Sequence, residues 1–201
     1  GELAIHIEQN LIKETVGSQD QIATAHGGLN RVDFKTDGTI DVTPLMLTDE
    51  LRTNLQNSMM LFFTGISRTA SDIAKKKIEN FGNKKTELMT MKQMADEGVS
   101  LFQSVSSNVT EIGKLLHESW KLKRSLSDSV SNDLIDEAYE AGLKAGALGG
   151  KILGAGGGGF LFMLAKPEDQ NKVRTALAKL LYVKTRLDNT GSKIVLYDPQ
   201  I

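Results

Sequence analysis

The sequence predicts an α+β fold, and three observations carry that prediction. Strand-like apolar runs are few and short, Met59 to Phe63 and Phe160 to Ala165 being the clearest. Long amphipathic helical patterns surround them in irregular order, not in a regular strand–helix alternation. An Asp37-Gly38 pair between two β-rich runs marks a hairpin. This combination lays helices on one face of an antiparallel sheet.

The elements follow in chain order. Leu3, Ile5, Ile7, Leu11 and Ile12 share one face of a helix from about residue 2 to 15, with Gly17 as its C-cap. Helical periodicity begins at once, with no capping residue before it, so the chain is expected to start inside a fold. Ser18 caps a short second helix that carries Asp20 in its first turn. Val32 to Phe34 and Thr39 to Val42 form the hairpin. The polar segment Thr48 to Asn57 reads as a domain boundary. A buried strand, Ser58 to Phe63, ends in a turn at Gly65, and a helix follows over about 70–80. A long helix spans about 84–105. Asn108 with Glu111 makes a capping box for the next helix, through Ile112, Leu115, Leu116 and Trp120. Leu122 to Ser127 is basic and turn-like, and Ser131 caps a helix through Leu134, Ile135, Ala138 and Tyr139. Pro167 and Glu168 open a helix running to Leu181, and Lys193 to Tyr197 forms a last strand.

Composition narrows the function classes. With 40% hydrophobic and 24% charged residues the chain is an ordinary soluble globular type. Its net charge of -1 gives no electrostatic footprint for nucleic acid. The absence of cysteine removes disulfides and thiolate metal sites, which fits the cytoplasm. The apolar runs are too short to span a bilayer, and no signal-peptide pattern opens the chain.

The chemistry centres on Gly149-Gly150-Lys151-Ile152-Leu153-Gly154-Ala155-Gly156-Gly157-Gly158-Gly159, followed directly by the apolar run from Phe160. A loop without side chains leading into a core strand lets a ligand, often a phosphate, approach the backbone. A plain glycine-rich turn is the alternative. Asp20 is a competent general base where it meets a substrate hydroxyl, although an Asp at a helix start is more often a cap or dipole partner. Glu8, twelve residues earlier on the first helix, could share a pocket with Asp20 and hold Mg²⁺ through a hard oxygen. A solvated helix residue is the simpler reading of Glu8. Arg68, Lys123 and Arg124 are candidate anion binders, or plain surface charge. His26 is a candidate hydroxyl partner.

Together these residues resemble the GHMP superfamily of small-molecule kinases, the group of galactokinase, homoserine kinase, mevalonate kinase and phosphomevalonate kinase. Gly150-Lys151-Ile152-Leu153-Gly154-Ala155-Gly156-Gly157-Gly158-Gly159 looks like the third motif of that family. Val16-Gly17-Ser18-Gln19-Asp20-Gln21 looks like the segment that carries the catalytic Asp in its sugar-kinase branch. Leu61 to Arg68, Leu115 to Ser127, and Ile135-Asp136 with Tyr139-Glu140-Ala141 are similar to the bacterial heptose 7-phosphate kinases. The resemblance spans essentially all 201 residues.

Several expectations follow from it. The fold would be the remainder of an S5-like N-terminal, ATP-binding domain over residues 1–50 and a ferredoxin-like α/β sandwich over 51–201. The activity would be ATP-dependent phosphorylation of the anomeric hydroxyl of a sugar phosphate, with Mg²⁺. Asp20 would be catalytic and Glu8 the metal ligand. Gln19, His26, Arg68, Lys123, Arg124, Gly156, Gly157 and Gly158 would bind substrate. A kinase for an unphosphorylated fucose- or galactose-type sugar, or a non-catalytic sugar and nucleotide sensor, are the alternatives. ATP and the sugar phosphate would be the partners, with no nucleic acid or membrane, and a homodimer left open. The family's phosphate-cradling loop, a Pro-x-x-x-Gly-Leu-x-Ser-Ser run before the first helix, has no counterpart. Its N-terminal part is therefore expected to lie outside this chain, and the 201 residues alone to be inactive.

Overall fold

A computed structural model describes residues 1–66, 82 and 84–196. The chain divides into two compact units, Gly1–Leu45 with Leu187–Ile201, and Met46–Arg186.

The first unit opens with helix α1 (Glu2–His6), which widens into a π-helical turn over Ile7–Ile12. The Lys13 amide donates to the Glu8 carbonyl and Lys13 adopts a left-handed conformation (φ 62), which stops the helix. The expected end at Gly17 is thus too late, because the backbone leaves the helical conformation at Lys13. Helix α2 (Gln19–His26) starts after Ser18, but Ser18 does not cap it. Its hydroxyl accepts instead from Gln9 Nε2 at 3.1 Å. Strands β1 (Asn30–Phe34) and β2 (Ile40–Pro44) pair antiparallel. Between them Gly38 takes φ +87, and Asp37 Oδ1 accepts from the Thr39 amide and hydroxyl. The segment from Leu187 returns to α2: the Gly28 amide donates to Asp188 O and the Ser192 amide to Ala25 O.

The second unit starts with helix α3 (Asp49–Ser58), where the sequence led us to expect a polar boundary. Thr48 caps it by accepting from the Leu51 amide at 3.1 Å, and Leu51 and Leu55 bury one side. Two leucines in ten residues suffice for a surface helix once a core lies beside them. Strand β3 (Met59–Phe63) follows as expected. The helix anticipated over 70–80 lies outside the described residues. Helix α4 (Lys85–Gln103) agrees closely with its expectation. Helix α5 (Val109–Arg124) begins with the predicted capping box: Asn108 Oδ1 accepts from the Glu111 amide, and Glu111 reaches back to Asn108. It runs two to three residues further than expected, so Leu122–Arg124 are its last turn and not a loop. A short 3₁₀ turn at Asp128–Val130 leads to helix α6 (Asp133–Lys144). Its cap is Asn132, not Ser131, whose hydroxyl turns to Asp136.

Strand β4 (Ala147–Ile152) was not legible in the sequence, which reads Gly149 and Gly150 as loop. Strand β5 (Phe160–Ala165), helix α7 (Gln170–Ala176) and strand β6 (Leu181–Val183) complete the unit. Helix α7 ends before Leu181, which belongs to the last strand of the sheet. The strand expected at Lys193–Tyr197 is absent over 193–196, and residue 197 lies outside the described residues. The sheet order is β4-β5-β3-β6, antiparallel throughout. Numbered within the unit this is 2-3-1-4, the ferredoxin-like arrangement.

Alternation along β3 and β5 turns Met60, Phe62, Leu161 and Met163 into the core. Trp120 from α5, Ile135 and Tyr139 from α6, and Val173 and Leu177 close over them. Helix α5 lies directly on β4: a Cβ on Gly149 would sit 2.0 Å from Gly113 O. Burial pushes the Tyr139 phenol above its ordinary value, offset in part by a backbone hydrogen bond from Gly150. Its hydroxyl lies 2.8 Å from His117 Nδ1, and the two rings stack.

Candidate active site

In the first unit Glu8 and Asp20 sit on elements laced to each other. Glu8 occupies the π-helical turn, half-buried, and its carboxylate accepts from Gln21 Nε2. Gln21 is the residue after Asp20 on α2. Gln9 Nε2 also donates to Val16 O at 3.0 Å and to Ser18 Oγ, which pins the linker between the two helices. Asp20 is exposed in the first turn of α2, and its neighbour Gln19 is exposed as well. Gln21 Oε1 is buried beside this pair without a hydrogen-bond partner. The structure therefore brings Glu8 and the Asp20 turn together. It does not bring His26 there. His26 closes α2 six residues on, about 9 Å along the axis at 1.5 Å per residue. It lines a separate cavity of about 500 Å³ with Leu3, Ile22, Ile40 and Val42.

In the second unit the glycine-rich segment resolves into strand β4 and a loop, Leu153–Gly159, which joins β4 to β5. Gly154, Gly156, Gly157 and Gly159 have positive φ, from +68 to +111. Gly156 and Gly158 are needed for a further reason. A Cβ on Gly156 would lie 2.7 Å from Val130 O, and one on Gly158 2.6 Å from Ile66 O. Gly156, Gly157 and Gly158 are all buried. Their bareness thus serves contact with the protein's own backbone on two sides. The loop is also bonded at several points. The Gly157 amide donates to Val130 O at 2.8 Å and its carbonyl accepts from Asn132 Nδ2. The Gly159 amide donates to Ile66 O, and its carbonyl accepts both the amide and the hydroxyl of Thr64 at 2.9 Å. Lys123 Nζ donates to Gly154 O at 2.7 Å and to Ile152 O at 3.4 Å.

The two basic candidates on α5 thus have different surroundings. Lys123 turns to the loop carbonyls. Arg124 lines a polar cleft of about 520 Å³ with Lys121, Ser125, Ser127 and Ser131, and three carboxylates, Asp128, Asp133 and Asp136, line the same cleft. Arg124 Nη2 donates to Asp136 Oδ2 at 2.6 Å, and Ser131 Oγ donates to the other carboxylate oxygen at 2.5 Å. Arg68 lies outside the described residues. Sequence reasoning missed Thr64 and Asn132 as loop partners and the serines as cleft lining. A Thr directly before Gly65 and the run of serines over 125–131 were the only local signals. Among the described residues no helix is long and apolar enough to cross a membrane, and no three His, Cys, Asp or Glu side chains cluster as a metal cage.

Residues 100–183 match the family described as GHMP kinases C terminal. Over 178 residues the chain is 31% identical to a D-glycero-alpha-D-manno-heptose 7-phosphate kinase of Campylobacter jejuni, covering 88% of this chain and 52% of that protein. An L-fucokinase/L-fucose-1-P guanylyltransferase of Bacteroides fragilis is 29% identical over 178 residues, 85% of this chain and 18% of that one. A crystal structure of a D-glycero-D-manno-heptose 1-phosphate kinase from Bacteroides thetaiotaomicron superposes with a TM-score of 0.65 and 25% identity, covering 97% of this chain and 55% of that one. The chain spans about half the length of the heptose kinases it matches. Residues 100–183 thus match a GHMP kinase C-terminal domain, and the chain is similar in sequence and fold to heptose phosphate kinases.

Proposed function

We propose that this protein transfers the γ-phosphoryl group of ATP to the anomeric hydroxyl of D-glycero-D-manno-heptose 7-phosphate, giving the 1,7-bisphosphate. The observation that carries this reading is the joining of Glu8 to the Asp20 turn through Gln21, in a chain 31% identical to a heptose 7-phosphate kinase. Asp20 accepts the proton of the anomeric hydroxyl as its oxygen attacks the phosphorus, and Gln19 beside it orients the sugar. Phosphoryl transfer asks for little more of a protein than positioning and charge. Mg²⁺ fits the donors present. It is commonly held by one or two carboxylates plus substrate phosphates, and Glu8 offers a half-buried carboxylate beside the orphaned oxygen of Gln21. When bound, Mg²⁺ neutralises charge on the ATP phosphates. ATP and the sugar phosphate are then the partners, and the cytoplasm, which supplies ATP, is the location.

Arg124, Lys121 and the serines of the cleft offer donors to a phosphate already on the sugar, against the carboxylates of Asp128, Asp133 and Asp136 beside them. Guanidinium and hydroxyl donors match phosphate oxygens, and Asp136 holds the guanidinium in place. A neutral sugar needs no such group. The fucokinase likeness favours the second reading, a kinase for an unphosphorylated sugar. Arg124→Ala separates the two. Loss of a charge-assisted hydrogen bond of about 1.5–3 kcal/mol raises KM for heptose 7-phosphate by roughly ten- to a hundredfold, and leaves KM for an unphosphorylated heptose unchanged. An equal rise for both sugars contradicts the phosphate role.

A further inference from the structure

We propose that Lys123 is a positioning residue that fixes the glycine-rich loop, not a group that grips substrate phosphate. Its kinetic part rests on the kinase reading above, while its structural part stands alone. Lys123 lies in the last turn of α5, thirty-one positions before Gly154, and its ammonium donates to the carbonyls of Gly154 and Ile152. These carbonyls mark the place where β4 ends and the loop begins. Gly154 has φ +68 and open space where a Cβ would stand. The Leu153 amide is bonded to Phe160 O, and further anchors lie along the loop at Gly157 and Gly159. Lys123 is thus a side chain that ties down the carbonyls on either side of Leu153, next to a glycine that gives the backbone its widest freedom. A charged donor serves this better than a neutral one, since hydrogen bonds from ionised groups are about twice as strong.

Hydrogen exchange on the folded chain with Lys123→Met tests the structural part directly, because amide protection reports local opening. The amides of Leu153, Gly157 and Gly159, bonded to Phe160 O, Val130 O and Ile66 O, are the reporters. Exchange over 153–159 is expected to quicken by roughly tenfold or more. Lys123→Arg, which keeps a charged donor, restores much of the protection. Lys121→Met, equally basic in the same turn, leaves loop exchange unchanged and controls for charge at the helix end. Unchanged exchange in Lys123→Met overturns the proposal, as does equal acceleration in Lys121→Met.

Kinetics of the full-length enzyme give the second arm. Lys123→Met lowers kcat by roughly tenfold to a hundredfold for phosphorylated and unphosphorylated sugars alike, as misplacement near a reacting centre does. A rise in KM confined to the phosphorylated sugar overturns the proposal in favour of a phosphate grip. A wild-type protein without kinase activity sinks the functional reading, while the exchange result still decides the role of Lys123 in the loop.

Discussion

Replacing Asp20 with Asn in the full-length protein is expected to cut kcat by about 10²–10⁴-fold, the usual worth of a positioned general base. Asn keeps the size and the hydrogen-bonding reach of the side chain but cannot take the hydroxyl proton. Asp20 is exposed at the start of α2 and packs into no core, so the fold has little stake in it. The unfolding midpoint should therefore stay within the range of an ordinary surface substitution, about 0.5 kcal/mol. KM for the sugar should change far less than kcat, because an interaction made mainly in the transition state is being removed. Turnover near the wild-type level in a folded Asp20→Asn variant contradicts the base assignment. Turnover lost together with the fold would show that Asp20 holds structure instead.

The second large effect concerns stability. Gly149→Ala should destabilise the second unit by about 3 kcal/mol or more, at or beyond the top of the usual range for overpacking. The added methyl would stand 2.0 Å from Gly113 O and 3.0 Å from both Gly113 C and His117 N. All three are backbone atoms of α5, so no flexible side chain can swing away. Helix and strand must separate, and the core formed by Trp120, Tyr139 and Ile152 loosens with them. Gly98→Ala is the matched control. It lies inside α4, where the nearest atom to a new Cβ is Leu115 Cδ2 at 3.7 Å. There alanine gains about 1 kcal/mol of helix propensity. Urea midpoints of the two variants should move in opposite directions. A Gly149→Ala protein as stable as the parent contradicts the close packing of α5 on β4.

These cases also show what the sequence could and could not reveal. Met59–Phe63 and the capping box at Asn108 were legible because local pattern alone fixes them. Strand β4 was not. Gly149 and Gly150 carry no β propensity; they are strand residues through pairing with β5, and glycine stands there because α5 crowds Gly149 and β5 crowds Gly150. Helix α3 hid behind polar composition, its two buried leucines having meaning only against a core. Ile194, Val195 and Leu196 look like a strand, yet they are highly exposed and outside any described sheet. Strand propensity without a neighbouring strand to pair with makes no sheet.

The site divides the same way. The Asp20 turn and Glu8 could be singled out by residue type and spacing, and the bond through Gln21 joins them. The glycine loop was marked by composition, but the work of its glycines was not. Gly156 and Gly158 give room to Val130 and Ile66, partners distant in sequence. Lys123 and Arg124 look equivalent as a basic pair, yet one meets loop carbonyls and the other Asp136. Successive helix residues point about 100° apart, so neighbours in sequence enter different surroundings.

Phosphoryl transfer from ATP to the heptose phosphate is open to direct assay. Purified full-length protein incubated with ATP, Mg²⁺ and D-glycero-D-manno-heptose 7-phosphate, followed by ³¹P NMR, tests it most directly. ADP is expected together with a new phosphate resonance coupled to the anomeric proton, and no such product when the sugar phosphate is omitted. No ADP above the sugar-free background, or faster phosphorylation of free fucose or galactose than of the heptose phosphate, would contradict it.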